Sequence, residues 1–323
     1  MSRYSHFTTK ERESLLVLVK TGKKNCEIAR ILGRSPSTIS RELRRNAESR
    51  ETYSAIKAEE KYRDRRKNCV RKPKLTNQRY AEKVSELLSY YWSPEQIANR
   101  LMLENNEVRV STCTIYRALE KGLLSSKLRK VLRIKGKKRC GGRKKSACGH
   151  LDIEYTIHDR PATVKNRKQI GHWESDTVRG AKWSGCLATH TERKSRFLVM
   201  RKIPDRTAQT FTEATITAFH LIPANKLKSF TCDHGKEFSM HKELSEKLGC
   251  KVYFADPHAP WQRGTNENCN GLIRQFFPKR TSFADVTQED ADRVALLLNR
   301  RPRKALGWKT PEEIFSKKLL HLT

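Results

Sequence analysis

Acidic residues are what this 323-residue chain runs short of: 35 Asp and Glu stand against 68 Lys and Arg, a formal net charge of +33. The deficit is uneven. Residues 1–150 carry a net of +23 and residues 151–323 a net of +10, and no acid occurs between Glu120 and Asp152. A surplus of this size argues against a basic or neutral partner. It favours a polyanion, because each phosphate neutralised releases condensed counterions. Long apolar runs are also missing: none nears the roughly 18–20 residues that span a bilayer, so nucleic acid is favoured over a membrane. The opening MSRYSHFTTKERE lacks the apolar stretch of a signal peptide. The nine cysteines are odd in number and never form C-x-x-C, which suits free thiols in a reducing cytoplasm. Cys140, Cys148 and His150 cluster in RCGGRKKSACGH, but a zinc site would want a fourth ligand and tighter spacing. Thiols in a basic linker are the favoured reading there.

At 36% apolar and 8% aromatic, the chain can still build cores, and its length suits two or three domains. Composition divides it at residues 1–50, 51–75, 76–125, 126–164 and 165–323. The second segment reads as a charged helical linker running into a Lys-Pro stop. The fourth is a basic linker, with eleven Lys and Arg in residues 127–145.

Within 1–50, EIARILGRSPSTISRELRRN has helix-turn-helix spacing: small Ala29 where two helices approach, Gly33 in the turn, Ile39 in the second helix. Ser35 is a good N-cap and Pro36 a good first helical residue. The exposed positions then hold Ser37, Thr38, Arg41, Arg44 and Arg45, suited to base edges and phosphates. A helical hairpin with a basic face is the plainer alternative. Within 76–125, WSPEQIANRL and VSTCTIYRAL suggest a second such unit, with Thr112, Thr114 and Arg117 as its candidate DNA contacts; a purely structural or dimerising bundle is the alternative.

From about 165 the pattern alternates: three strands, a helix, a strand, a helix, a strand and a helix. That order predicts a mixed sheet with helices on its faces, compatible with a ribonuclease-H-like core. Three carboxylates are oddly placed in it. Asp176 lies inside the strand IGHWESDTV, Asp233 at the end of a strand in TCDHGKEF, and Glu267 at the start of the helix NENCNGLIRQFF. Singly, each is most often a surface or helix-start acid. Together, two acids on adjacent strands and one on a flanking helix can converge on hard divalent cations, Mg²⁺ or Mn²⁺. Arg274 follows Glu267 by seven residues, so the two share a helix face. Gln262 and Arg263, with His258 and Trp261, occupy a Pro/Gly-bounded loop suited to touching DNA. His172 and His234 flank two of the acids, where a structural role is as good a reading as substrate contact.

These stretches, with SPEQIANRL, PWQRGTNENCNGLIRQFFPK and NRRPRKALGWKTPEEIF, resemble the DDE transposases of bacterial insertion sequences, most closely the IS-thirty family. The resemblance runs over nearly the whole chain and departs from the family pattern at Ser175, His234 and Cys269. It implies that Asp176, Asp233 and Glu267 are the catalytic metal-binding triad, with 33 residues between the last two. It implies two Mg²⁺ ions per site, replaceable by Mn²⁺, and Arg274 as the basic residue one heptad after the glutamate. It also implies terminal inverted repeats and target DNA as partners, and 3′-end cleavage and strand transfer as the reaction. Joining two ends in concert calls for a homodimer or larger synaptic oligomer, in a bacterial, nucleoid-associated setting. Two rivals stay open: a transposase-derived DNA-binding regulator whose catalysis has lapsed, and a nuclease acting on RNA–DNA hybrids.

Overall fold

The computed structural model describes residues 5–69, 72–132, 153–257 and 259–317, and the chain divides into two units at Pro73. Cys140, Cys148, His150 and His258 lie outside the described residues.

The first unit is four helices: α1 (Thr9–Lys20), α2 (Asn25–Ile31), α3 (Pro36–Asn46) and α4 (Ala55–Asn68). The turn between α2 and α3 needs Gly33, whose φ of +63° would strain other residues. Ser35 then starts α3 by accepting a hydrogen bond from the Thr38 amide at 3.2 Å. Ile28, Ala29, Ile39 and Leu43 form the core with Leu15, Val19 and Ala58. Arg12 ties the unit together: fully buried, it meets Glu42 of α3 at 2.8 Å and Glu59 of α4 at 2.5 Å. Such a pair adds little net stability over apolar residues, but breaking it would strand a buried charge. Residues 51–75 therefore differ from the expected linker. Tyr53, Ala55 and Ala58 are buried, and Tyr53 and Ala58 join the core shared with α1 and α3, so α4 is part of this unit, although Ile56 stays exposed.

The second unit begins with α5 (Gln78–Ser89), α6 (Pro94–Leu103), α7 (Thr112–Glu120) and α8 (Ser126–Val131). They share a core of Val84, Leu87, Trp92, Ile97, Leu101, Ile115 and Leu119. Ser93 and Gln96 cap α6 reciprocally, at 3.3 and 2.8 Å. This helical part does not stand off from the remainder as a separate module. Arg100, fully buried on α6, meets both carboxylate oxygens of Glu313 at 2.8 and 2.6 Å, on the short C-terminal helix whose first residue is Pro311. Gln96 adds a bond to the Pro302 carbonyl at 2.9 Å, and Gln275 one to the Val131 carbonyl at 2.7 Å. The expected basic linker is likewise partly structured at its ends: α8 packs on α5, and Thr156 bridges to Phe254.

A five-stranded sheet forms the rest: β1 (His172–Arg179), β2 (Cys186–Glu192), β3 (Leu198–Ile203), β4 (Ser229–Cys232) and β5 (Lys251–Phe254). The order is β3-β2-β1-β4-β5, with β1, β2 and β3 antiparallel and β4 and β5 parallel to β1. This is the ribonuclease-H-like mixed sheet expected from the order of elements. Before β1 comes α9 (Ala162–Lys165), between β3 and β4 α10 (Ala208–Phe219), between β4 and β5 α11 (His241–Leu248), and after β5 α12 (Gly264–Ile273), α13 (Gln288–Asn299) and α14 (Pro311–Ser316). One face buries Trp173, Phe230 and Val252 against α10 and α11; the other buries Val178, Leu187 and Met200 against α12 and α13. Because side chains alternate along a strand, Glu174, Asp176 and Val178 share the α12 face.

Candidate active site

Asp176 sits mid-strand on β1, opposite Thr189 of β2. Its Oδ1 accepts from the Thr177 amide at 2.7 Å and its Oδ2 from Asn270 Nδ2 at 3.0 Å. Burial pushes this carboxyl up to about 6; Arg263 pulls it down, while Asp233 pushes it further up. Asp233 follows the last residue of β4, where the parallel strand ends. Its Oδ1 accepts from the Gly235 amide at 3.0 Å, and its Oδ2 takes a 2.7 Å bond from Arg263.

Arg263 is the residue that joins the two aspartates. Its guanidinium is held by the Ser175 carbonyl at 3.0 Å, lies on Asp233, and stands 3.9 Å from Asp176 Oδ2. A cation thus lies between two carboxylates that would otherwise repel each other.

Glu267 is exposed on α12. Among the described residues no three His, Cys, Asp or Glu stand together as a metal-holding cluster. Of the three acids expected to converge, two share one cation and the third rides on the adjoining helix. The oxygen donors themselves suit a hard divalent cation, and the guanidinium marks where positive charge is accommodated.

How α12 is placed follows from a match between helix and sheet. Glu174 pairs across with Thr191, and Asp176 with Thr189. Asn266 and Asn270, four apart, face these two pairs. The Asn266 amide donates to Glu174 at 2.9 Å, and Thr191 donates to the Asn266 side chain at 3.1 Å. Asn270 donates to Asp176, and Thr189 donates to Asn270 at 3.1 Å. Four helical residues rise about 6 Å, and two strand residues about 6.7 Å, so the steps coincide. Glu174 is wholly buried, neutralised by Arg193 at 2.8 Å, and puts its charge at the positive end of α12. Glu267 lies between the two asparagines in sequence, so the ladder fixes its place.

Several functional candidates behave differently from expectation. Gln262 is committed to Asp256, accepting from its amide and donating to its carboxylate at 2.8 and 2.7 Å. Arg274 caps the end of α12 and bonds the Arg179 carbonyl at 2.8 Å. His172 is buried, bonded to Ser229 at 2.8 Å, and burial pushes it down to about 4; this is a structural histidine. His234 leans on Phe254 beside the site. Glu237 went unremarked in the sequence. Buried four residues after Asp233, it bonds Arg206 and Thr177, leaving Oε2 without a partner among the described residues. A side chain at Gly235 would collide with that carboxylate, which explains the glycine. The D-x-G-x-E spacing was the available signal.

On the helical units, Ser37, Arg41, Arg44 and Arg45 are exposed along α3, and the arginines make no ion pair among the described residues. Thr38 is half-buried and bonds the Ser35 hydroxyl at 2.7 Å. Arg117 is exposed on α7, with Thr112 and Thr114 half-buried at its start.

Residues 3–46 match the helix-turn-helix domain family, and residues 166–260 match the integrase core domain family. The transposase InsI for insertion sequence element IS30C of Escherichia coli (strain K12) is 39% identical over 97% of this chain and 84% of its own length. This chain belongs to the IS30 family of transposases. The transposase for insertion sequence element IS1086 of Cupriavidus metallidurans is 36% identical over all of this chain and 97% of the relative. The catalytic core domain of BIV integrase overlaps 45% of this chain and 93% of its own, at 19% identity and a TM-score of 0.36, too slight a likeness to carry an argument. As an IS30-family transposase, the chain is a polynucleotidyl transferase that binds DNA and carries out cleavage and strand transfer. No helix among the described residues is long and apolar enough to cross a membrane.

Proposed function

We propose that this transposase binds the terminal inverted repeats of its insertion sequence and cuts their 3′ ends with Asp176, Asp233 and Glu267 as metal ligands. Two Mg²⁺ ions, replaceable by Mn²⁺, are the cofactor of that reading. When bound, such ions polarise a phosphodiester and the oxygens that attack and leave it. The observation that carries the reading is the pair Asp176, midway along β1, and Asp233, just past β4, reaching one cation, with α12 laddered beside them. Arg263 holds the two carboxylates while they lack another counter-charge, and its guanidinium can turn to a phosphate oxygen once released. Asn270 keeps the Asp176 carboxylate aimed, and the Asn266–Glu174 contact keeps Glu267 at the same height along the sheet.

Ser37, Thr38, Arg41, Arg44 and Arg45 serve as the DNA-reading face of α3, and Thr112, Thr114 and Arg117 as a second contact from α7. Gln262 acts by shaping the Arg263 loop, and Arg274 by closing α12 near the DNA. The protein works as a homodimer or larger assembly, since two ends are joined together.

The test is cleavage and joining of DNA carrying both flanks of this gene, with Mg²⁺, comparing the intact protein with Asp233→Asn. Equal binding with cutting lost in the variant is the expected result. Tight binding by both with no cutting by either, even with Mn²⁺, would replace this reading with that of a DNA-binding regulator.

A further inference from the structure

Beside Asp233 opens a cleft of about 1190 Å³, and the turn between β1 and β2 forms one wall. At the tip of that turn Trp183 is fully exposed. Among the described residues nothing packs on this indole at the rim of the cleft, so a structural reason for it is missing there. Its main chain, by contrast, is held in a defined shape. Its backbone sits in the left-handed region at φ +61°, which a bulky residue rarely adopts.

The turn is tied down on every side. The Gly180 amide bonds the Gly185 carbonyl at 3.2 Å, the Ala181 amide bonds the Thr281 carbonyl at 2.8 Å, and the Ser184 hydroxyl bonds the Ala181 carbonyl at 2.9 Å. Lys202 reaches in to the Ser184 carbonyl at 3.2 Å. Gly180 leaves no room for a side chain against Ser184 and Phe283, and Gly185 none against Lys202. Two glycines and a lysine thus fix the tip in a shape that projects the indole.

The cleft it overlooks is lined by Arg179, Lys182 and Lys236 among its cations, alongside Asp233 and three further carboxylates. Cations with an exposed aromatic platform are the combination that holds single-stranded nucleic acid: the cations track phosphates and a base stacks on the ring. Duplex DNA presents no free base face, so the occupant is a strand whose end is unpaired. We infer that Trp183 stacks against an unpaired base of the DNA strand being processed at Asp233, holding the frayed end in this cleft. The inference rests on the DNA-cleaving reading above. It assigns Trp183 as a positioning residue for the strand, with no part in the bond-breaking itself.

A first experiment is independent of cleavage. The full-length protein, in EDTA and about 0.2 M salt, is irradiated with short single-stranded DNA carrying one 5-iodouracil, and cross-linked peptides are mapped by mass spectrometry. Cross-linking at Trp183 is expected in the intact protein. It should persist at this position in Trp183→Phe and vanish in Trp183→Ala.

A second experiment compares cutting of fully paired element ends with ends carrying mismatched terminal pairs. Stacking contributions of this kind correspond to at least about a five-fold effect. Trp183→Ala should therefore cut paired ends at least about five-fold more slowly and recover on mismatched ends, while Trp183→Phe stays within about two-fold of the intact protein. Absence of any cross-link at Trp183, or equal cutting of paired ends by Trp183→Ala, overturns the inference. If the intact protein cuts nothing while the cross-link forms, the stacking stands and the cleavage reading falls.

Discussion

Replacing Arg263 with glutamine removes the cation that Asp176 and Asp233 share among the described residues. The lost charge-assisted bond to Asp233 is 2.7 Å long, a kind that contributes about 1.5–3 kcal/mol when well buried. Asp233 is two-fifths exposed, so solvent screening brings this down to roughly 1–2 kcal/mol. The two carboxylates are then left facing each other, which adds to the cost. For a unit of this size, the expected fall in Tm in EDTA is roughly 2–8 °C. Magnesium should then reverse the loss. With the guanidinium gone, a divalent cation meets no competitor at the carboxylates, and at ten times its Kd it returns about 1.4 kcal/mol. The assay is thermal and denaturant unfolding of both proteins in EDTA and across a Mg²⁺ series. The gap between variant and intact protein should narrow as Mg²⁺ rises. A gap that stays constant or widens would show that Arg263 and the metal do not occupy the same place, and the reasoning would fail.

Asn270→Ala removes one rung of the α12 ladder, so stability should drop by about 1–3 kcal/mol and strand cleavage should fall with it. Denaturant melts and cleavage rates measured together decide this; lost stability with an unchanged rate would make the ladder structural only. Arg44→Ala on α3 should weaken DNA binding without altering the fold, and should lower the slope of log affinity against log salt by about 0.9, read by fluorescence anisotropy. An unchanged slope would place Arg44 away from phosphate. His190 is wholly buried between Ser175 and Thr215, and burial pushes it down to about 3. The unfolded chain takes up that proton near pH 6.5 and the folded one does not, so stability is lost as pH falls below 6.5. The loss is about 1.4 kcal/mol per pH unit from this group. His190→Leu should flatten that limb of the denaturation profile between pH 6.5 and 4; an unaltered slope would assign the acid sensitivity elsewhere.

Local signals were legible where they obey short-range rules. Ser35, Pro36 and Gly33 mark the α2–α3 turn because caps and left-handed positions tolerate few residue types. The strand that stops just before Asp233 was likewise readable. Glu174 was not singled out, because nothing in HWESDTV distinguishes a wholly buried acid that caps a helix 92 residues away. The role of α4 was missed for a similar reason: a helix that reads as charged all round can still bury the few small residues that meet its neighbours. Arg263 was legible as a basic residue in a loop, but its attachment to two aspartates was not.

By itself, then, the sequence determined the charge that draws DNA, the helix-turn-helix turn, the alternation of strands and helices, and the acids worth suspecting. These depend on composition and on neighbours within a few residues. Only the tertiary structure decided that Arg263 stands between Asp176 and Asp233, that Asn266 and Asn270 match the sheet's spacing, and that Arg100 ties the second helical part to Glu313. Each of those contacts joins residues 30 to more than 200 positions apart. Which pairs meet at such separations depends on how strands order and helices dock, and no local pattern carries that information.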